Sequence, residues 1–368
     1  MHQVGSFGTK ENVDDKLPKA WQIMYPDAFA NCWGFCEVWN GLTADGVPVE
    51  GPSDGLEEMV QRHQMCNAIL EVDVCTPGLT VDVTASVLWQ IEWGMNNLHD
   101  RGEGQPPRTM VNLRDFADCC VDETAMAHAL RLVQALGQLP IHLRPLGLLV
   151  EEPTALITPD EMADRTRRVR TAMEESGWTS GKLLVHVHAG FGLEEAVVLA
   201  ALSNGCDGIW CAVCKDGAAL GHACSAITLT NLARLGNTYV QQQYSLPRIV
   251  RAAAEVHLVV TGEPVSERCE VYGCHAFDRT FGGWFGFHDG AVQIIADMLE
   301  ITRHVRVSNF ANSDMLKDAM IDRFGTLPLY FFFPCCEWCA WCAHGLIYFI
   351  FVVAVLYYSL RTTLDRHT

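Results

Sequence analysis

The chain has 368 residues, 49% of them hydrophobic, with a formal charge of −18 and a sequence pI near 5.1. That length exceeds the ~250 residues of a simple α/β barrel and leaves room for an extension. An acidic balance without a basic face excludes a nucleic-acid partner. Sixteen scattered cysteines, with no secretory leader before them, read as reduced thiols of an intracellular protein.

Residues 1–60 carry Gly, Pro, Asp and Trp, as in Gly46-Val47-Pro48-Val49-Glu50-Gly51-Pro52, and read as loops rather than two full βα units. A regular rhythm follows. Strands are predicted at 68–74, 109–113 and 146–150, and helices at 83–98, 123–136 and 159–176, the last announced by Thr158-Pro159. Leu183-Leu184-Val185 then leads into His186-Val187-His188, followed by a helix at 193–203 with Gly205 as its stop signal. A strand at 206–210, a Gly-rich loop at 215–222 and a helix at 226–235 complete the series. Val-, Leu- and Ile-rich strands alternating with helices of ten or more residues indicate a buried parallel sheet. The fold class expected is α/β, a (β/α)8 TIM barrel irregular at strands 1 and 2, with a C-terminal helical extension. In such barrels the strand C-termini carry the chemistry.

His186 and His188 stand at such an end. Residues i and i+2 of a strand share one face about 6.6 Å apart, so two imidazoles there can converge on one metal ion. Hydrogen-bonded polar residues at a strand end are the other reading of the pair. Cys211-Ala212-Val213-Cys214 has C-x-x-C spacing but falls on the seventh strand and its loop, and reads as two small, partly buried residues.

From His186 to His222 the chain resembles the DRE-TIM metallolyases, the HMGL-like or pyruvate carboxyltransferase domain family. The family shows an H-x-H strand end, a helix, a Gly-containing strand start and a Gly-Asn loop. A second stretch resembles its isopropylmalate and citramalate synthase branch: Thr261-Gly262-Glu263-Pro264-Val265, Val271-Tyr272-Gly273, Ala276-Phe277 and Gly286-Phe287-His288-Asp289-Gly290. The resemblance implies a divalent-metal-dependent acyltransferase that condenses acetyl-CoA with a 2-oxo acid. It implies His186 and His188 as metal ligands, His222 and Asp27 as further candidates, and Gly221 as a cofactor-loop residue. Arg114, Glu152 and His288 are its catalytic candidates, His288 as acid or base.

The chain departs from the family at several points. The first-strand D-x-T-L-R-D-G pattern is missing, Tyr25-Pro26-Asp27-Ala28 being the nearest stretch, which keeps the Asp and loses the Arg. Asn112-Leu113-Arg114-Asp115-Phe116 looks similar but falls on strand four. Ala189-Gly190 replaces Asn-Asp, Gly221-His222 replaces Gly-Asn, and Glu151-Glu152-Pro153 replaces Gly-Asp-Thr on strand five. Three histidines and a carboxylate suit Zn²⁺, Mn²⁺ or Fe²⁺ better than Mg²⁺. A lost enolate-stabilising Arg costs about 2.7–4 kcal/mol of barrier. Arg114 or Arg144 could replace it, or serve only in ion pairs.

Beyond residue 326 the chain turns apolar. Residues 339–360 form a run long enough to span a bilayer as a helix of about 33 Å, with Cys335, Cys336, Cys339 and Cys342 beside it as palmitoylation candidates. A tail foreign to the barrel is the alternative. The domains expected are a barrel at 1–240, a helical synthase-type extension at 241–326 and a candidate membrane anchor at 327–368. Small-molecule 2-oxo acid and acyl-CoA partners and a homodimer accompany the synthase reading. A carbon–carbon lyase of the same fold and a catalytically degenerate, membrane-tethered binding barrel remain as alternatives.

Overall fold

The computed structural model describes residues 2–8, 16–75, 79, 81–217, 220–279, 286–307 and 313–325. The apolar run at 339–360 lies outside them. Among the described residues no helix is long and apolar enough to cross a membrane, and the eleven cysteines whose side chains are described are all free thiols.

In chain order the elements are β1 (His2–Phe7), α1 (Lys16–Met24), α2 (Pro26–Phe29), β2 (Cys32–Glu37), α3 (Asp54–Gln61), β3 (Asn67–Val72) and α4 (Thr84–Asn97). Next come β4 (Arg108–Leu113), α5 (Phe116–Val121), α6 (Glu123–Gln138), β5 (Gly147–Glu152), α7 (Pro159–Glu175), β6 (Lys182–Val187), α8 (Glu194–Ser203) and β7 (Gly208–Trp210). The helices α9 (Ser225–Arg234), α10 (Thr238–Gln243), α11 (Leu246–Thr261), α12 (Gly286–Met298) and α13 (Ser313–Phe324) follow. The seven strands form one sheet in the order β1-β2-β3-β4-β5-β6-β7, and every neighbouring pair is parallel. Sequential parallel strands with helices between them make this an α/β fold of the TIM-barrel type.

The rhythm read from 68 to 235 recurs element by element. Thr158 caps α7 as its sequence announces, accepting from Glu161 N at 3.4 Å while the Glu161 carboxylate accepts from Thr158 N at 2.8 Å, a reciprocal capping box. The reading of residues 1–60 as loops is corrected: β1, α1, α2, β2 and α3 make two βα units there. Cys32-Trp33-Gly34-Phe35-Cys36-Glu37 is short, has Gly34 inside it and is buried on both faces, so no period-2 alternation marks it as a strand in the sequence. The expected irregularity does appear, as a register shift between Gln3 and Gly5 in the β1–β2 pairing.

The sheet curls, and its concave face is filled by Trp33, Phe35, Ile69, Met110 and Leu149, with Leu184 and Trp210 packed against them. Phe35 on β2 meets Trp210 on β7 edge to face at 5.4 Å between ring centroids, a contact that a flat sheet would not permit between its second and seventh strands. Alternation then sets the next inward layer, towards the strand C-termini: Glu37, Glu71, Asn112, Glu151 and His186. A larger outer core of Val, Leu and Met side chains packs the convex face against the helices.

The chain divides into two compact units, residues 1–276 with 297–301, and residues 277–296 with 302–368. The first contains the sheet. The second includes α13 and is tied by ion pairs from Arg306 to Asp278 at 2.8 Å and from Arg279 to Asp318.

Because Phe35 is almost wholly buried in the barrel interior, Phe35→Ala is expected to lower stability by about 3–5 kcal/mol. Urea unfolding followed by circular dichroism checks this.

Candidate metal centre

β6 delivers His186 and His188 to the concave side at the C-terminal end of the sheet. The third histidine arrives by a backbone device. After β7 the loop turns back and pairs with the end of β6: Ala189 N donates to Gly221 O at 2.8 Å and Ala223 N to Val187 O at 3.0 Å. These two bonds flank His188 and His222, which form an antiparallel bridge. They are therefore a non-hydrogen-bonded pair, the arrangement that brings opposite side chains closest, with Cα atoms about 4.5 Å apart.

The result is a cluster of three imidazoles whose ligand nitrogens all lie within 4.8 Å of one another. Ring centroids are 4.9 Å apart for His186 and His188, 4.9 Å for His186 and His222, and 4.4 Å for His188 and His222. Both ring nitrogens of His186, Nδ1 of His188 and Nδ1 of His222 are buried without a hydrogen-bond partner among the described residues. Buried polar atoms are satisfied in the great majority of cases, so four nitrogens without a hydrogen-bond partner among the described residues fit a set of ligands for a cation. Burial, opposed by Glu151, pushes the pKa of His186 down to about 4, and burial with His188 nearby does the same to His222. Both rings are neutral at pH 7, the protonation state a metal requires.

The carboxylate placed against the triad is Glu151. Its Oε1 lies 3.2 Å from His188 Nε2 and its Oε2 lies 3.7 Å from His186 Nδ1, and it accepts from Asn112 Nδ2 at 2.5 Å. Burial pushes its carboxyl up, but the His188 hydrogen bond, the His186 charge and the Asn112 hydrogen bond together hold it below the usual range. Sequence reasoning missed Glu151 and Asn112 as site residues. Register held the signal, because Glu151 pairs with His186 across β5 and β6.

Of the predicted residues, His186, His188 and His222 are brought together. Glu152 is not: it points to the opposite face of β5, is fully buried, and its Oε1 accepts from Thr154 N at 3.0 Å and from the Thr154 hydroxyl. Asp27 is exposed on α2, which leads into the N-terminal end of β2 and so lies at the edge of the sheet opposite the histidines. Gly221 serves the backbone return: its φ is +103°, and a Cβ there would stand 2.2 Å from Lys215 O. His288 belongs to α12 and its side chain lies outside the described residues.

Arg114 lies at the C-terminal end of β4, as expected, but is held by carboxylates. Its guanidinium pairs with Glu37 and with Asp73, with Glu71 at 3.9 Å. Burial raises the Glu71 carboxyl to about 8 against the lowering pull of Arg114. Arg144 sits before β5, at the other end of the barrel, where its guanidinium donates to Leu139 O at 3.0 Å and to Gly177 O at 3.4 Å.

Fold and site together define a parallel α/β fold of the TIM-barrel type with a cluster of three histidines that could hold a metal ion at the C-terminal ends of its strands. No family model and no curated protein matches the chain. Among the solved structures that match are HMG-CoA lyases, the N-terminal domain of a putative aldolase, and carboxyl transferase domains. The chain is similar to an HMG-CoA lyase from Acinetobacter baumannii, in complex with coenzyme A and 3-methylmalate, at 12% identity and TM-score 0.47, covering 72% of this chain and 80% of that one. It is similar to hydroxymethylglutaryl-CoA lyase from Pseudomonas aeruginosa at 14% identity and TM-score 0.46, over 71% and 80% of the two chains. The carboxyl transferase domain of Rhizobium etli pyruvate carboxylase, solved with pyruvate, matches at 14% identity and TM-score 0.46, over 72% of this chain and 41% of that one.

Two predictions concern the cluster. A Cβ at Gly217 would stand 2.0 Å from His222 Nδ1, so Gly217→Ala is expected to displace that ring and weaken Zn²⁺ binding about 10–100-fold, read by calorimetry on a protein with unchanged circular dichroism. The folded pKa values of His186 and His222 lie near 4, below the unfolded value of about 6.5. Stability of the metal-free protein is therefore complete above pH ~6.5 and lost progressively as the pH falls towards 4. Protonation of Glu151, whose pKa is also depressed, adds loss in the same direction. Urea midpoints measured from pH 7.5 to 4 check the sign.

Proposed function

We propose that this chain is a divalent-metal-dependent enzyme that forms or breaks a carbon–carbon bond next to a carbonyl group. The observation that carries the reading is the triad: three imidazoles on one face, four of their buried nitrogens without a partner, and a buried carboxylate beside them. His186, His188 and His222 would hold the metal, with Glu151 as the carboxylate of the set in place of Asp27. Three nitrogens and one oxygen suit Zn²⁺ or Mn²⁺ over Mg²⁺. When bound, such an ion polarises a substrate oxygen as a Lewis acid.

The residues of the chain supply the rest. Asn112 donates to Glu151, and Glu151 in turn orients the His188 ring through its Nε2. Glu71, with a carboxyl that burial keeps protonated near neutrality, can donate or take up a proton at its carboxyl oxygen. The finer reading, supported by the motifs at 261–290, is the condensation of acetyl-CoA with a 2-oxo acid, with His288 as a further acid or base. A second reading, a barrel that binds without turnover, is supported by the ion pairs of Arg114 with Glu37 and Asp73, which occupy the donor an enolate would need.

The test is turnover of acetyl-CoA with a panel of 2-oxo acids, run beside cleavage of hydroxymethylglutaryl-CoA, in the Zn²⁺- and Mn²⁺-loaded full chain. Metal-dependent turnover lost in His186→Ala/His188→Ala is expected. Turnover unchanged in that double variant would overturn the assignment. Metal binding without turnover on either panel would favour the binding scaffold.

A further inference from the structure

Two motifs past the sheet, Thr261-Gly262 and Val271-Tyr272-Gly273, are far in sequence from the three histidines, yet the segment they shape closes on the loop that carries one of them. Gly262 ends α11 in a left-handed conformation, its N donating to Leu258 O at 2.9 Å, while the Thr261 hydroxyl donates to His257 O at 2.8 Å. The chain then folds into a tight turn. Cys269 N donates to Ser266 O at 2.9 Å, Gly273 N to Cys269 O at 3.0 Å and His275 N to Glu267 O at 2.6 Å. Val271 stands in this turn at φ +69°, a conformation that is costly for a β-branched residue and persists only where the surroundings impose it.

The two residues flanking Val271 both reach Lys215. The buried Tyr272 accepts at its Oη from Lys215 N at 3.4 Å, and Glu270 pairs with Lys215 Nζ at 3.7 Å. From α11, His257 Nδ1 lies 2.7 Å from Asp216 Oδ2. Lys215 passes this restraint on. Its carbonyl accepts from His222 N at 3.1 Å, so the residue that the turn grips on its N–H side holds the third histidine on its C=O side. A shift of Lys215 and Asp216 would therefore carry the His222 backbone with it.

We infer that α11 and the turn at 266–273 clamp the loop after β7, with His257, Glu270 and Tyr272 as positioning residues that set where His222 stands among the three ligands. The clamp rests on the metal-centred reading proposed above. It makes the affinity of the cluster for its ion depend on residues that touch neither the ion nor its ligands.

The experiment is Zn²⁺ binding to the full chain, measured by competition with a chromogenic chelator. Tyr272→Phe and His257→Ala are each made alone and combined with His222→Ala, and circular dichroism monitors folding. Each is expected to weaken binding about tenfold when His222 is present, the low end for groups that orient a ligand. Neither is expected to add a loss to His222→Ala, because a clamp acting through His222 then has nothing to position. His257→Asn, whose Nδ2 can donate to Asp216 where Nδ1 stood, is expected to restore the affinity. Tyr272→Phe keeps the buried ring and is expected to fold. Affinity unchanged in both single variants would overturn the clamp and leave the metal reading intact. An equal loss with and without His222 would assign the effect to general loosening of the fold, and overturn it also. Absence of Zn²⁺ binding in the unsubstituted chain would overturn both readings together.

Discussion

Two backbone hydrogen bonds, Ala189 N to Gly221 O and Ala223 N to Val187 O, hold the site together. Neighbouring parallel strands present their end residues side by side, but only an antiparallel return places one side chain directly opposite another at the shortest spacing. By folding back over the end of β6, the loop after β7 turns two strand histidines into a three-histidine cluster. The return is sterically demanding. Gly221 adopts a left-handed φ against Lys215 O, and Gly217 leaves the space that the His222 ring fills. Backbone geometry therefore accounts for the glycines at 217 and 221.

Electrostatics completes the arrangement. The barrel interior changes from the apolar layer of Trp33, Phe35, Ile69, Met110 and Leu149 to a polar one within a single inward step along each strand. On β5 and β6 that step places Glu151, whose carboxyl is held below the usual range, beside the His186 imidazole, whose pKa burial lowers to about 4. Such a set offers lone pairs and negative charge to a cation. On β2 to β4 the same layer is internally neutralised, Arg114 being shared by Glu37 and Asp73, with Glu71 close by. The two halves of the rim thus differ in kind: one offers ligand atoms to a cation, the other carries the Arg114 guanidinium among its carboxylates.

Much of this was legible in the sequence, and the exceptions have physical causes. The βα rhythm from residue 68 onward, the Thr158 cap and the convergence of His186 with His188 follow from period and spacing alone. The first two βα units were hidden because the strand at Cys32–Glu37 is buried on both faces and shows no alternation, with Gly34 interrupting its run. Glu151 was hidden beside Glu152, since adjacent carboxylates on a strand face opposite ways and only register with His186 distinguishes them. Asp27 suited a sequence pattern, yet its helix lies before β2 and so at the wrong end of the sheet. His222 could be suspected from its loop, but the bridge that sets it against His188 is a long-range pairing that no local pattern encodes.

The central claim is that three imidazoles of this chain share one metal ion, and X-ray absorption at the zinc edge of the Zn²⁺-loaded protein tests it most directly. The account predicts a first shell with three histidine nitrogens at about 2.0–2.1 Å, completed by oxygen, and loss of two of the imidazole signals in His186→Ala/His188→Ala. A first shell of oxygen or sulfur ligands with one imidazole or none would contradict it.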